Sequence, residues 1–312
     1  MQILVHLLII LAACGALWLG ATWLVDAAAR ISRKFGVSDL VIGLTVVAFG
    51  TSAPEFAVTI GSAVRGNADI AVANVIGSNI FNIGFILGAV ALFMNVKTGP
   101  QLVWRDMTVL LGTCLFLWVL LLDGELARWE GALFFGLLIA YLAFLFIRKE
   151  TAMEEEISQK PATWLDGPLL LAGLGLIFAG QHFLVDSAVF LAERAGVSEF
   201  VIGMTIVAAG TSVPEFAISM ISVIKKYHGI SAGNLVGSNI FNTLGVLGLA
   251  GAIQPLAGGE QVIASMVAQA GLTLIVLIVM RTAWQVRRFE GILLILVSLL
   301  IWGYNFKLGQ IV

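Results

Sequence analysis

Two acidic residues stand where a lipid-embedded helix would ordinarily carry none. Glu55 and Glu215 lie near the middle of long apolar runs, while almost all the other acidic residues, of nineteen in total, fall in loops or near run ends. A carboxylate at the centre of a membrane helix is costly and marks an ion or proton path. Both occur in the same segment, Gly50-Thr51-Ser52-Ala53-Pro54-Glu55 and Gly210-Thr211-Ser212-Val213-Pro214-Glu215. Proline lacks an N–H and clashes with the carbonyl four residues earlier, so Pro54 should loosen the turn around Ala48 to Thr51, and Pro214 the turn around Gly210. Carbonyls freed at membrane depth are tolerated where they line a cavity or bind a cation. Thr51 and Ser52 precede Glu55 by four and three residues, so hydroxyls and carboxylate share one helix face. Thr211 and Ser212 do the same for Glu215.

The next apolar run in each case supplies a second polar wall. Asn74, Ser78 and Asn82 recur every four residues, as do Asn234, Ser238 and Asn242. Ser78, Asn82, Ser238 and Asn242 are assigned to the site. Asn74, Asn79, Asn234 and Asn239 are assigned to hydrogen bonds between helices, beside small residues such as Gly77 and Gly237. All the donors gathered this way are oxygens or amides, and hard cations such as Ca²⁺ take six to eight oxygens with carboxylates balancing the charge. Two carboxylates close together in a low dielectric repel unless something neutralises them. One Ca²⁺, several Na⁺ or two protons could each do so, and that competition is the physical basis of an antiporter.

The elements holding these residues must be membrane helices. Of 312 residues, 60% are hydrophobic and 12% charged, with a mean hydropathy of +1.02. That composition excludes a soluble enzyme, a nucleic-acid binder or a disordered chain. The net charge of −2 leaves no basic stripe for nucleic acid. Cys14 and Cys114 both lie in apolar runs, which argues against a disulfide framework or a cysteine metal site. His6, His182 and His228 sit beside no midplane serine, no Ser–His pair is expected, and an enzyme is not expected. No cofactor is expected.

Ten spans are read, at about 3–28, 38–64, 70–96, 106–123, 129–147, 164–190, 199–224, 230–254, 261–280 and 286–306. Trp104, Trp129, Trp164 and Trp284 fall at span ends, as interfacial aromatics do. With the N-terminus outside, thirteen of the seventeen Lys and Arg fall in cytoplasmic loops, and four (Arg65, Arg128, Arg194 and Lys307) on the outer side. Both termini are therefore expected outside. Leu11-Ala12-Ala13-Cys14 looks like a lipoprotein cleavage box, but no Lys or Arg precedes it, so an uncleaved first helix is expected. Asp26 and Asp186, near span ends, are read as structural.

Residues 38–88 and 198–248 align at a constant offset of 160 with 25 identities in 51 positions. Five spans separate equivalent points, so the second copy crosses the membrane in the opposite direction. The expected fold is an all-α integral membrane bundle of ten helices in two inverted five-helix repeats. The halves are 1–147 and 164–312, joined by a short cytoplasmic linker at 148–163. Inverted repeats place a substrate site near the midplane, where the halves meet. A channel could also use carboxylates to select cations, but inverted repeats with broken helices favour alternating access.

The paired G-T-S-x-P-E and G-S-N-I-F-N segments resemble the α-repeats of the sodium/calcium exchanger family, of a prokaryotic type without a regulatory loop. The resemblance covers nearly the whole chain. It implies a Na⁺/Ca²⁺ antiporter, with Ca²⁺ held by the side chains of Glu55 and Glu215 and the carbonyls of Thr51 and Thr211. It implies one flanking Na⁺ site at Ser78, the Ala208 carbonyl, Thr211 and Ser212, and another at the Ala48 carbonyl, Thr51, Ser52 and Ser238. Asn82 and Asn242 would line the middle. Proton-coupled relatives typically carry Gly-Asn in place of Gly50-Thr51 and Gly210-Thr211, which argues against that branch; Ca²⁺/H⁺ or other divalent cation/proton antiport is the alternative, because paired glutamates also titrate. Potassium-dependent relatives carry Asp in place of Asn242, so transport is expected to be independent of K⁺. The expected setting is a prokaryotic plasma membrane, with Ca²⁺, Na⁺ and lipid as partners, no nucleic acid, and a monomer sufficient for function.

Overall fold

The computed structural model describes residues 2–148, 161–197, 206, 208–257 and 260–310. Most of the expected linker lies outside the described residues, as do 198–205 and 207 of the second repeat. The apolar runs become helices because within a bilayer each backbone N–H and C=O must find its partner inside the segment. In the first half, α1 is Gln2–Phe35. Helices α2 (Asp39–Thr51) and α3 (Ala53–Val64) form a single path bent by 49°. Then follow α4 (68–93), α5 (Leu102–Asp123) and α6 (Arg128–Arg148). In the second half, α7 is Asp166–Arg194, and a short turn at Ala208–Gly210 precedes α8 (Val213–Ile224). Helices α9 (His228–Ile253), α10 (Glu260–Ala283) and α11 (Arg288–Gln310) complete the order.

Seven of these helices are long and apolar enough to span alone, and the bent α2–α3 pair makes an eighth. The ten-span reading would need α8, a shorter apolar helix whose preceding residues are not all described, and α11 as its other two spans. Leu4, Leu11, Trp18, Ile139, Ile147 and Leu300 point outward and are exposed, as lipid-facing side chains must be. This is an all-α membrane fold built on two inverted repeats.

The structure adds a feature outside the helical reading. Four two-residue strands pair antiparallel across the halves: β1 (Val96–Lys97) with β4 (Gln285–Val286), and β2 (Glu125–Leu126) with β3 (Leu256–Ala257). The 160-residue offset maps one pair's register onto the other's: Val96 shifts forward to Leu256, and its partner Val286 shifts back to Leu126. The repeat therefore continues well past residue 88, into segments whose side chains have diverged.

The halves interlock through close helix crossings. The last helix of each half packs on the third span of the other, α6 on α9 and α11 on α4. A Cβ on Gly88 would lie 2.6 Å from the carbonyl oxygen of Gly291, and one on Gly131 would lie 2.7 Å from that of Gly248. Only glycine permits backbones so close, and membrane helices use small residues for this contact. Two apolar clusters result. A large one runs through α2 to α6 and α8 to α11, and a smaller one collects α1 and α7 against Ile42, Val47, Ile218 and Ile230.

Candidate functional site

Both broken spans resume as a helix just before their glutamate. The break lies at Ser52 (φ −78°, ψ 4°) and Ser212 (φ −92°, ψ 8°), with Pro54 and Pro214 in the first turn of α3 and α8. This is one residue later than expected from the proline positions, since Ala48–Thr51 stays helical. The reason is local. Ser52 N–H still reaches the Ala48 carbonyl at 3.0 Å, and a proline in the first turn of a new helix loses no hydrogen bond. Glu55 and Glu215 thus sit on helix N-termini, whose dipoles favour negative charge.

The two halves then exchange partners. Ser212 Oγ donates to Glu55 Oε1 at 3.3 Å, and Thr211 and Ser78 also lie beside that carboxylate. Around Glu215 stand Thr51 and Ser238, the equivalents of Thr211 and Ser78, although neither carboxylate oxygen of Glu215 completes a hydrogen bond. Thr51 Oγ1 lies 3.2 Å from each of the Ala48 carbonyl, Asn234 Oδ1 and Ser238 Oγ. Glu55 and Glu215 are close enough to repel one another. Glu55 therefore faces its own repeat's Ser78 and the opposite repeat's Thr211 and Ser212, whereas Glu215 faces its own repeat's Ser238 and the opposite repeat's Thr51, with Ser52 Oγ left unpaired.

Burial is complete where it matters. Thr51, Ser52, Glu55, Asn82, Ser212, Glu215, Ser238 and Asn242 have no exposed surface, and Ser78 and Thr211 have little. Among the described residues, thirteen buried side-chain polar atoms lack a hydrogen-bond partner. Eight of them belong to Ser52, Glu55, Asn82, Glu215 and Asn242. Buried polar atoms are otherwise almost always paired, so such a concentration, six oxygens and two amide nitrogens, marks a place set aside for a ligand. Asn82 and Asn242 lie in π-helical turns, Phe81–Ile86 and Phe241–Leu247, whose widened geometry re-aims the amides. Among the described residues no three of His, Cys, Asp and Glu cluster as a metal site. A cation here would meet two carboxylates and otherwise neutral oxygens, a set suited to exchange rather than permanent retention.

The family models bear directly on this geometry: residues 5–147 and 168–306 match that described as sodium/calcium exchanger protein. The chain belongs to the sodium/calcium exchanger family. The sodium/calcium exchanger MaX1 of Methanosarcina acetivorans is 33% identical over 339 residues, covering 95% of this chain and 97% of its own. The inner membrane protein YrbG of Escherichia coli is 36% identical over 248 residues, covering 74% and 75%. A structure of the sodium-calcium exchanger NCX_Mj, soaked with Na⁺ and Sr²⁺, matches with a TM-score of 0.83 at 30% identity, covering 96% of this chain and 97% of that one.

Within this exchanger-family fold, several placements differ from the sequence reading. The Ala48 carbonyl already accepts from Ser52 N–H and the Thr51 hydroxyl, so it can serve a cation only if Thr51 turns toward Asn234 or Ser238. Ala208 opens the short turn Ala208–Gly210. Asn234 bonds helices as expected, to Ser219 Oγ at 3.0 Å and the Glu215 carbonyl at 3.3 Å, but it also reaches the site through Thr51. Ser219 was missed, and so was Thr59, which Asn74 contacts at 3.0 Å. Their positions four residues after each glutamate were the available signal. Asn79 and Asn239 do join the halves: Asn239 Nδ2 donates to the Asn79 carbonyl, and Asn79 Nδ2 to Thr243 Oγ1. One Ser–His contact does form, contrary to expectation. His6 Nδ1 lies 3.2 Å from Ser187 Oγ, with the His6 ring stacked on Phe190. It ties α1 to α7 and lies on neither glutamate-bearing helix.

Proposed function

We propose that this protein exchanges Na⁺ for Ca²⁺ across a prokaryotic plasma membrane by alternating access. The observation that carries the reading is the pair of fully buried carboxylates, each facing hydroxyls of the opposite repeat and surrounded by unpaired polar atoms. Two carboxylates carry a charge of −2, which one Ca²⁺ balances. Without a cation two such charges repel, by about 4 kcal/mol for unit charges about 4 Å apart at an effective dielectric of about 20. Ca²⁺ takes Glu55 and Glu215 with the carbonyls of Thr51 and Thr211. Na⁺ takes the flanking sets, Ser78, Ala208, Thr211 and Ser212 on one side and Ala48, Thr51, Ser52 and Ser238 on the other. Asn82 and Asn242 remain neutral walls, and K⁺ is not required. One ion class must leave before the other fits, which couples their movements. The charge distribution supports both termini outside, and one chain holds the complete site.

The test is calcium uptake into vesicles holding the purified protein, driven first by an outward Na⁺ gradient and then by a proton gradient. Uptake driven by Na⁺ without K⁺ is the expected result. Uptake driven by protons alone would replace Na⁺ coupling with Ca²⁺/H⁺ exchange.

A further inference from the structure

Asp26 and Lys225 break the internal symmetry of the molecule. Lys225 Nζ sits 2.7 Å and 2.8 Å from the two carboxylate oxygens of Asp26, joining α1 to the end of α8. The offset of 160 maps Asp26 onto Asp186 and Lys225 onto Arg65. If the two halves were in equivalent positions, Asp186 on α7 would hold Arg65 at the end of α3. Among the described residues it does not. Asp186 is 61% exposed and faces His182 one turn away, at 3.4 Å. Arg65 is exposed. Helix packing repeats the imbalance: α1 packs along α8, whereas α7 makes no comparable contact with α3.

Helices α1 and α7 meanwhile behave as one body. Gly20 and Gly173 bring their backbones together, each within 2.7 Å of where the other's Cβ would stand. Arg30 Nε pairs with Asp166 at 2.7 Å toward one end. The His6–Phe190 stack, 3.8 Å between centroids, and an Arg194–Gln2 hydrogen bond fasten the other. Together they form the smaller apolar cluster, distinct from the large one that unites most of the remaining helices. This body, clamped at both ends, also packs on α2 and Ile230, but of the two glutamate-bearing helices it rests on α8 and not on α3, so a tilt can exchange the α8 contact for one on α3.

The polar interior shows what such a tilt would open. Ser219 and Ser222 follow Glu215 at four and seven residues, one face of α8. Ser231 and Asn234 precede Ser238 on α9 at the matching intervals. All four are fully buried, and Ser222 Oγ has no partner. They form a polar stripe of three hydroxyls and one amide leading from Glu215 toward the Lys225 end. In the first half, the matching stripe of Thr59, Ser62 and Asn74 is partly open, since Ser62 and Asn74 are only half-buried.

We propose that Asp26–Lys225 is a gate latch that closes the Glu215 stripe, and that Asp186–Arg65 is its mirror image, formed when the α1–α7 body tilts and opens that stripe. The proposal rests on the alternating-access reading above. Its test needs neither ion. In a background without Cys14 and Cys114, Ser222→Cys is exposed to an impermeant thiol reagent in membranes oriented with the Lys225 face accessible. Asp26→Asn should raise the labelling rate roughly two- to five-fold, the population shift expected from losing a partly exposed ion pair. The charge swap Asp26→Lys with Lys225→Asp should restore the parent rate. Separately, Arg65→Cys with Asp186→Cys, two exposed positions whose replacement spares the core, should form a disulfide under mild oxidation. Unchanged labelling in Asp26→Asn, or no 65–186 disulfide, overturns the latch. Failure of Na⁺-driven uptake with labelling and cross-linking as expected would sink the exchange reading and leave the latch standing.

Discussion

Glu55→Gln isolates charge from shape at the centre of the site. The amide is nearly the same size, and its oxygen can still accept from Ser212 Oγ, now 3.3 Å from Glu55 Oε1. It removes a buried charge whose second oxygen has no partner, so folding should survive. For a bound divalent cation the consequence is severe. The site falls from −2 to −1 and an uncompensated charge stays in a fully buried space. Breaking a buried charge pairing by removing one member costs about 3–5 kcal/mol, and at 1.36 kcal/mol per factor of ten this weakens Ca²⁺ binding by roughly 10²- to 10⁴-fold. Two measurements read it. Ca²⁺ at a hundred times its dissociation constant stabilises the parent by about 2.7 kcal/mol, and the same Ca²⁺ should stabilise the variant by less than about 0.5 kcal/mol. Vesicle uptake should be lost in parallel. Glu215→Gln should behave alike, being the symmetry-related carboxylate. A folded Glu55→Gln protein that keeps both its Ca²⁺ stabilisation and uptake within ten-fold of the parent would refute the two-carboxylate argument.

Further outcomes follow from the same geometry. With neutral Asn82 and Asn242, Na⁺-driven Ca²⁺ flux should proceed in K⁺-free solution, and strict dependence on K⁺ would show that Asn242 has been misread. Cysteines at Ser52 and Ser212, both without exposed surface, should label slowly and from opposite membrane faces, position 52 from the cytoplasm and 212 from outside; labelling from one face would contradict the inverted topology. Gly131→Leu would drive a Cβ into the Ala252 backbone nitrogen, so thermal unfolding in detergent should show destabilisation of at least about 1–3 kcal/mol. Thr243→Val breaks the relay from Asn79 Nδ2 through Thr243 Oγ1 to the Asn239 carbonyl, and the same assay should show a loss of about 1–3 kcal/mol for the stranded buried donor.

Much of the site was legible because polar residues are rare in lipid. Glu55 and Glu215 announce themselves by type, and the 160-residue offset supplies each with a second witness. What pattern alone could not give was geometry that depends on three-dimensional crossing. Nothing in the spacing of Phe81-Asn82 or Phe241-Asn242 distinguishes a π-turn from an α-turn. Proline chemistry located the helix break only to within a residue. Asp26 reads as a span-end carboxylate until Lys225, almost two hundred residues away, is seen beside it. Asn234 was legible as a bridge between helices, but its reach to Thr51 needs the opposite repeat in place. The strand pairs were invisible because two residues in extended conformation leave no periodicity.

Those strand pairs also constrain how the chain can be made. β1 and β2 belong to the first half, yet among the described residues each finds its ladder partner in the second, β4 and β3. Val96 must wait for Val286, and Leu126 for Leu256. A ribosome will therefore have delivered the whole first half into the bilayer before either ladder can close. Until then, α4 and α6 also lack the glycine-lined neighbours that cover them. The early half-protein is an intermediate with open edges, open to capture by membrane chaperones or by another copy. The same dependence suggests that two separately synthesised halves could recognise each other, because each carries the strands and glycine grooves that only the other completes.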